Sequence, residues 1–477
     1  MTLAPPISIA PDGDVAWEGL APALRRLDAL LTQAVETARV RFGEQAASDP
    51  YRGLQITPEE VERVLATPPG TPLLFREGPA DPVMGQGASA PLLAHLRDAL
   101  GLEPFDLDVL VLVLALAPEL DLRYDRLYGY LQDDVTRRRP TVDLALNLLC
   151  RNSAEKLKQR GRFLPEAPLL RHGLIELVAD PSHVAPPLLG QYLRLDPQIL
   201  HRLLGQGGLD TSLSPFCELV PPCAAPSAPG DPATTSALAA LAAPAYKAQR
   251  PLVLHFHGPA GTGRRRAAEA LAAPLLVVDL ERALARGEPW GRTLATLFRL
   301  ARLDGAVLYC SGIDALDGEE RRRERRTLLA AAAEGGVVVI FAGARTPGHG
   351  TAGAVAVAFE IARFEGRRAQ WRSALEAADI AAGPAEIDAL AGRFRLTADQ
   401  IGDAVVAARA DALWRGALAA APGAAPDSAD LFAAARAQSG HDLLGLARPI
   451  EPRHSWDDIV LPSDRLAQLH EIGRAHV

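Results

Sequence analysis

The chemistry in this chain concentrates at His257–Arg265, HGPAGTGRR. Gly258 and Gly263 occupy the two glycine positions of a G-x-x-x-x-G-K-[ST] phosphate loop, with Pro259, Ala260, Gly261 and Thr262 between them. Glycines let successive backbone N–H groups converge on one anion, and a helix starting just after them adds its positive end. That chemistry is the holding of a phosphate chain. Two positions depart from it: Arg264 stands where the lysine belongs, and Arg265 where a hydroxyl would bind Mg²⁺. The flanks suit the motif. Leu252-Val253-Leu254-His255-Phe256 reads as a strand, and Ala267–Ala272 as a helix.

Hydrolysis of a bound triphosphate needs a carboxylate for Mg²⁺ at the end of a second apolar strand. Here the strand is Ala306–Cys310, and the residues after it are Ser311 and Gly312, with Asp314 two positions further and past a turn. A third apolar strand, Val337–Phe341, ends in Ala342-Gly343-Ala344, with no polar side chain to orient a water. The metal hydroxyl, the acidic pair and the water-orienting group are thus all replaced, which predicts a module that does not hydrolyse.

Arg264, Arg265 and Arg266 start a helix, where each exposed cation is disfavoured by roughly 0.3–1 kcal/mol. A bound phosphate would reverse that sign, and Arg265 would repel Mg²⁺. Two readings follow. One is weak, Mg²⁺-independent binding of ATP or phosphate; the other is a relic loop with solvated arginines. The run Arg321–Arg326 reads as a solvated helix face rather than a DNA or partner patch, given Glu319, Glu320 and Glu324 beside it. Arg137-Arg138-Arg139 reads as a solvated helix end. His255 is placed on the strand and His257 in the loop, with no metal-ligand spacing between them. Cys150, Cys217, Cys223 and Cys310 include no C-x-x-C pair, so no zinc site is expected, and free thiols fit a reducing cytoplasm.

The elements that position these residues follow from length and pattern. A chain of 477 residues with 48% hydrophobic and 5% aromatic content predicts two to four domains built of helices and α/β layers. The net charge of −8 counts against broad nucleic-acid binding. No signal peptide is visible, and Val109–Ala117 is too short to span a membrane. Residues 1–80 form an N-terminal helical region, with a helix start at Thr57-Pro58-Glu59-Glu60 whose apolar face continues through Val61, Val64 and Leu65. Residues 81–215, several helices and then two short strands, read as a winged-helix domain. A Pro- and Ser-rich linker is placed at 216–235. Residues 236–416 alternate strands and helices and then turn purely helical, giving a parallel-sheet core at 236–366 and a helical lid at 367–416. A second linker is placed at 417–440.

The chain resembles AAA-type ATPases, in particular bacterial proteins with an N-terminal winged-helix region and two AAA modules that accompany contractile injection systems. GPAGTGRR stands in place of GPxGTGK[ST]. Gly392–Ile401 is similar to the helix start of an AAA lid, and Ser455–Pro462 is similar to the lead-in of a second module at 441–477. The resemblance implies a subunit of a ring, of hexameric size, that binds ATP and remodels a protein complex in the bacterial cytoplasm. It implies an arginine finger among Arg363, Arg367 and Arg368. It also implies an intact second module, before which the chain reads as truncated, with Glu471–Val477 resembling a translated sequencing adapter. The alternative is a non-enzymatic winged-helix scaffold or DNA-binding protein.

Overall fold

The alternation of apolar runs with amphipathic segments between residues 232 and 359 folds into a sheet covered by helices on both faces. The computed structural model describes residues 13–42, 58–75, 91–113, 120–181, 184–206, 208–209, 212–222, 232–346, 353–418, 425–439, 462 and 464–469. These form two compact units that divide between Phe359 and Glu360. Cys223, residues 419–424 of the expected second linker, Ser455–Leu461 and Glu471–Val477 lie outside the described residues, whereas 428–439 of that linker form a helix, Ser428–Ser439, whose Leu431 is buried.

The first unit opens with the helix Gly13–Phe42, whose Leu20, Leu24, Leu27 and Leu31 are buried. The helix Pro58–Ala66 follows. Its Val61, Val64 and Leu65 are exposed, so the apolar face expected there packs against nothing described. Helices Pro91–Leu100, Pro104–Val113, Arg123–Leu131 and Val142–Leu149 then surround one core, and the helix Ser153–Arg160 follows with none of its residues buried. Side-chain caps fix two of the starts. Thr141 Oγ1 accepts from the Leu144 amide at 3.2 Å, and Asn152 Oδ1 from the Glu155 amide at 2.9 Å. Strands β1 (Ile175–Val178) and β2 (Tyr192–Leu195) form an antiparallel hairpin, and Thr141 bridges Tyr192 on its far side. Helices followed by a hairpin laid on them is the winged-helix arrangement.

The sheet of the α/β core is built from β3 (Cys217–Val220), β4 (Leu252–His257), β5 (Leu275–Asp279), β6 (Val307–Ser311), β7 (Val338–Gly343) and β8 (Val355–Ala358). Their order is β3-β5-β6-β7-β4-β8, and all but β3 run parallel. Two of these strands correct the sequence reading. β3 lies inside the expected linker 216–235 and pairs with β5, and β8 falls in a stretch read without a strand. His257 is the last residue of β4 rather than a loop residue. β5, β6 and β7 are buried on both faces, which is why they read as unbroken apolar runs, whereas β8 at the edge is mostly exposed. Leu276, Val278, Leu308, Cys310, Val339 and Phe341 face the helices Trp290–Leu303 and Arg322–Glu334. Leu254, Phe256, Val277, Val307 and Ile340 face the helix Pro232–Lys247 and the phosphate loop. Cys150, Cys217 and Cys310 are free and buried, and burial pushes the Cys217 thiol up to about 12, so these thiols are inert packing groups.

The helix Trp290–Leu303 serves both cores of this unit. Leu294, Leu297 and Leu300 pack in the sheet core, whereas Leu303 belongs to the winged-helix core. Polar contacts run alongside. Arg299, 1% exposed, donates to the carbonyls of His172 and Gly173, to Asp196 Oδ1 (2.9 Å) and to Gln198 Oε1 (2.9 Å). Arg202 grips Asp304 with both guanidinium ends, and His95 Nε2 lies 2.8 Å from the Leu303 carbonyl.

His172 sits at this joint with its pKa pushed down to about 4, by burial first and then by Arg302, Arg171 and Arg299. The neutral ring is what the folded state accepts, so the unfolded chain binds the extra proton between about pH 6.5 and 4. Stability is therefore full above pH 6.5 and falls as pH drops towards 4. Discounting for the ring's partial exposure, the loss is on the order of 2 kcal/mol. Urea midpoints at pH 7 and pH 4.5 read it, and His172→Asn removes this part of the pH dependence. Equal slopes in the two proteins would refute it.

The second unit is helical: Phe364–Ala377, Pro384–Arg393, Ala398–Leu418 and Ser428–Ser439 pack around Trp371, Leu390, Ile401 and Leu431. Thr397 and Gln400 cap each other's backbone amides (3.3 and 2.9 Å) and start the third of these helices. Among the described residues no helix is long and apolar enough to cross a membrane.

Candidate phosphate-loop site

β4 runs through the sheet between β7 and β8 and delivers Gly258 to the carboxyl ends of the parallel strands. Ligands of open α/β sheets bind at this edge. Gly258 has φ +140°, Gly261 +77° and Gly263 +89°, all conformations that side chains rarely adopt. A Cβ on Gly258 would overlap the Phe359 carbonyl, so the close approach of these backbones requires glycine there. Thr262 Oγ1 donates back to the Pro259 carbonyl at 2.8 Å and rigidifies the turn. Gly263 caps the helix Arg264–Glu269 without any side-chain acceptor.

The two arginines are both engaged within the chain. Arg264 Nη1 donates to the Gly343 carbonyl at the end of β7. Arg265 is held by Glu269 Oε1 through Nε and by Glu218 Oε2 of β3 through Nη2, each at 2.9 Å. These carboxylates offset the unfavourable placement of a cation at a helix start.

The replaced acidic positions are engaged too. Ser311 Oγ donates to the Val278 carbonyl at 3.0 Å, so its hydroxyl ties β6 to β5. Gly312 is left-handed (φ +74°) and starts the 3-10 turn Ile313–Leu316. Asp314 accepts from the amides of Ala344 (2.6 Å) and Arg345 (3.3 Å), so its carboxylate caps the end of β7. Its role is structural, and sequence spacing alone misses it. A divalent cation does not fit this site: Arg265 stands where the hydroxyl donor would be, and the oxygen-bearing side chains after β6, Ser311 and Asp314, are bonded to backbone. Among the described residues no group of three His, Cys, Asp or Glu could hold a metal ion. The loop itself has three glycines at positive φ followed by a helix start.

His255, on β4, is 3% exposed, and neither ring nitrogen has a hydrogen-bond partner in hydrogen-bonding geometry. Burial lowers its pKa and keeps the ring neutral. The arginine run is paired, through Arg321–Glu324 (3.5 Å), Arg322–Glu319 and Arg325–Asp317 (2.7 Å). In the helical unit, Arg367 is buried and donates to the carbonyls of Ala391 and Ala362, while Arg368 pairs with Asp388 and Glu365. Both hold their own bundle together. Arg363, at the start of the first helix of the bundle, is exposed.

Comparisons with known proteins bear on the two ends of this description. Residues 84–217 match the family model of a variant winged helix domain. Residues 363–441 match that of the contractile injection system ATPase helical domain. No curated protein matches the sequence. Among solved structures, the chain is similar to one from a study of katanin self-assembly, at 16% identity over 48% of this chain and 92% of that one, with a TM-score of 0.39. It is also similar to the AAA domain of FIGL-1 in complex with ADP, at 14% identity over 56% of this chain and 98% of that one, with a TM-score of 0.40. The same domain without that description of a ligand gives 15% identity and a TM-score of 0.40, over 55% and 96% of the two chains. Residues 84–217 are thus similar to a variant winged helix domain and residues 363–441 to the helical domain of contractile injection system ATPases, with a mainly parallel six-stranded sheet between them in sequence.

Proposed function

We propose that this chain is a subunit of an AAA ring in which the module described here assembles and positions the ring but does not hydrolyse nucleotide. The observation that carries the proposal is the shared fate of the positions where hydrolytic chemistry would sit. Arg264 and Ser311 donate to backbone carbonyls, Asp314 accepts from backbone amides, and Arg265 is taken by Glu218 and Glu269. None is left to hold Mg²⁺ or to activate water. The glycine cradle supports weak, metal-independent binding of a triphosphate, with the anion displacing Arg265 from its carboxylates. Turnover and the remodelling of a protein complex would belong to a second module.

The winged-helix DNA-binding alternative has less support. Lys156 is spent on Asp143 and Asn147 (3.0 and 2.7 Å), and Arg162 on the fully buried Asp106. The cations nearest the exposed helix Ser153–Arg160 are thus in part neutralised within the domain.

Phosphate release from Mg²⁺·ATP and titration with a fluorescent ATP analogue test the proposal. The expected result is no release above that of an Arg264→Ala, Arg265→Ala double variant. Binding should be equal in Mg²⁺ and in chelator, and weakened in the double variant. Turnover that requires Mg²⁺ and disappears in that variant would overturn it.

A further inference from the structure

The helix Ala398–Leu418 leaves an apolar face in solvent. Its inner face, Ile401, Ala404, Val405 and Ala408, packs in the core of the helical unit. Its outer face carries Val406 (68% exposed), Leu413 (51%), Trp414 (67%) and Leu418 (72%). The spacing of Val406, Leu413 and Trp414 (i, i+7, i+8) sets them on one side of the helix, with the exposed Ala410 and Ala417 beside them. From Val406 to Leu418 the stripe runs about 18 Å along the helix axis. Trp371 of the same unit is fully buried, whereas Trp414 stays outside that core. Single exposed apolar residues are ordinary, but a contiguous run of this length marks an interaction surface.

The charge at the border of the stripe is one-sided. Asp403 lies three residues before Val406 and Asp411 three before Trp414, and both are exposed. Among the described residues neither carboxylate has an ion pair or a hydrogen bond. The cations of the same helix are spent within the unit. Arg409 donates to the Ala378 carbonyl at 3.2 Å, and Arg415 pairs with Asp430 and, at 3.9 Å, with Asp427. A second copy laid on this face through the same helix therefore brings no free cation to the two acids. An anionic membrane would be repelled by them, since helices that lie on such surfaces carry Lys and Arg at the border instead.

We propose that this face of the helix Ala398–Leu418 docks an amphipathic helix of a protein partner, apolar on the contact side and basic along its flanks. A helix surface offers ridges and grooves to another helix and has no open backbone edge to take a strand. The partner's apolar side chains would cover Val406, Leu413 and Trp414, with Trp414 the largest single contribution. Lysine or arginine beside them would meet Asp403 and Asp411, which selects basic helices over acidic ones. Nothing in this inference depends on whether the phosphate loop binds or cleaves a nucleotide.

The test uses the full chain and a tryptophan-free synthetic helical peptide with leucine along one face and lysine beside it. Tryptophan emission is expected to shift to the blue, saturably, and the shift should be absent in Trp414→Phe. A peptide of the same composition in scrambled order, and one with glutamate in place of lysine, are each expected to bind about tenfold more weakly or worse. With a fluorescein-labelled form of the parent peptide, Leu413→Ser combined with Trp414→Ser is expected to weaken binding by about tenfold or more. Asp403→Asn combined with Asp411→Asn should flatten its salt dependence. All four side chains are exposed, so wild-type circular dichroism and urea midpoints check that folding is intact. The proposal is overturned if the scrambled or acidic peptide binds as well as the parent, if the serine variant binds undiminished, or if the parent shows no saturation at millimolar concentration. A blue shift of Trp414 on phosphatidylglycerol vesicles would assign the face to a membrane, and self-association abolished by the serine variant would assign it to a second copy. Either result would likewise overturn it.

Discussion

Arg299→Leu is expected to lower the unfolding free energy of the first unit by about 3–5 kcal/mol, because it breaks a buried charge network by removing one partner. The guanidinium reaches Asp196 and Gln198 of the winged-helix domain and the carbonyls of His172 and Gly173. A leucine would leave all of these acceptors facing an apolar side chain at the centre of the joint. Arg299→Lys should rescue little, since one ammonium cannot span acceptors that a planar fork reaches together. The measurement is the urea midpoint together with limited proteolysis. New cleavage should appear between residues 204 and 216, where the chain passes from the winged-helix core to β3. Wild-type midpoints and an unchanged digestion pattern in Arg299→Leu would show that the two cores are held by apolar packing alone.

That joint was invisible in the sequence. Arg299 sits on a helix whose other buried positions, Thr293 apart, are apolar, and its acceptors lie roughly a hundred residues earlier in the chain. No local pattern marks an arginine that folds inward. The elements with strong local signals were legible: the apolar runs of β4 through β7 and the strand–glycine–helix sequence of the phosphate loop. Short edges were not. β3 and β8 are four residues each, and β3 directly precedes residues 221–235, whose proline and serine content reads as a linker. Pairing with β5 outweighs that composition, a tertiary effect that a window of sequence does not contain. Asp314 illustrates the same limit at the site. Its distance from the end of β6 marks it as a poor metal ligand, but its actual task, capping the end of β7, depends on a neighbour thirty residues away. Arg367 shows it again, because a basic residue before a helical bundle reads as exposed until its carbonyl partners are known.

The glycines of this loop bear on what the presence of the motif can tell. Gly258→Ala is expected to destabilise the core by about 3 kcal/mol or more, because it combines an unfavourable backbone conformation with overlap against the Phe359 carbonyl, and β8 just before Phe359 cannot retreat without giving up its pairing with β4. Gly263→Ala meets nothing within 4 Å and carries only the cost of a left-handed residue, about 1 kcal/mol. Thermal or urea unfolding of the two variants reads the difference directly. If it appears, Gly258 is required by the packing of β4 against β8 whether or not any phosphate binds. Retention of the motif's first glycine is then no evidence of nucleotide binding, and only Gly261 and Gly263 can report on it. Equal costs at Gly258 and Gly263 would instead mean that the Phe359 segment moves freely, and the loop would regain its standing as a site kept for its ligand. The replacement of the lysine and hydroxyl by Arg264 and Arg265 fits the first outcome: the chain keeps the glycine its sheet needs and re-employs the two side chains its sheet does not.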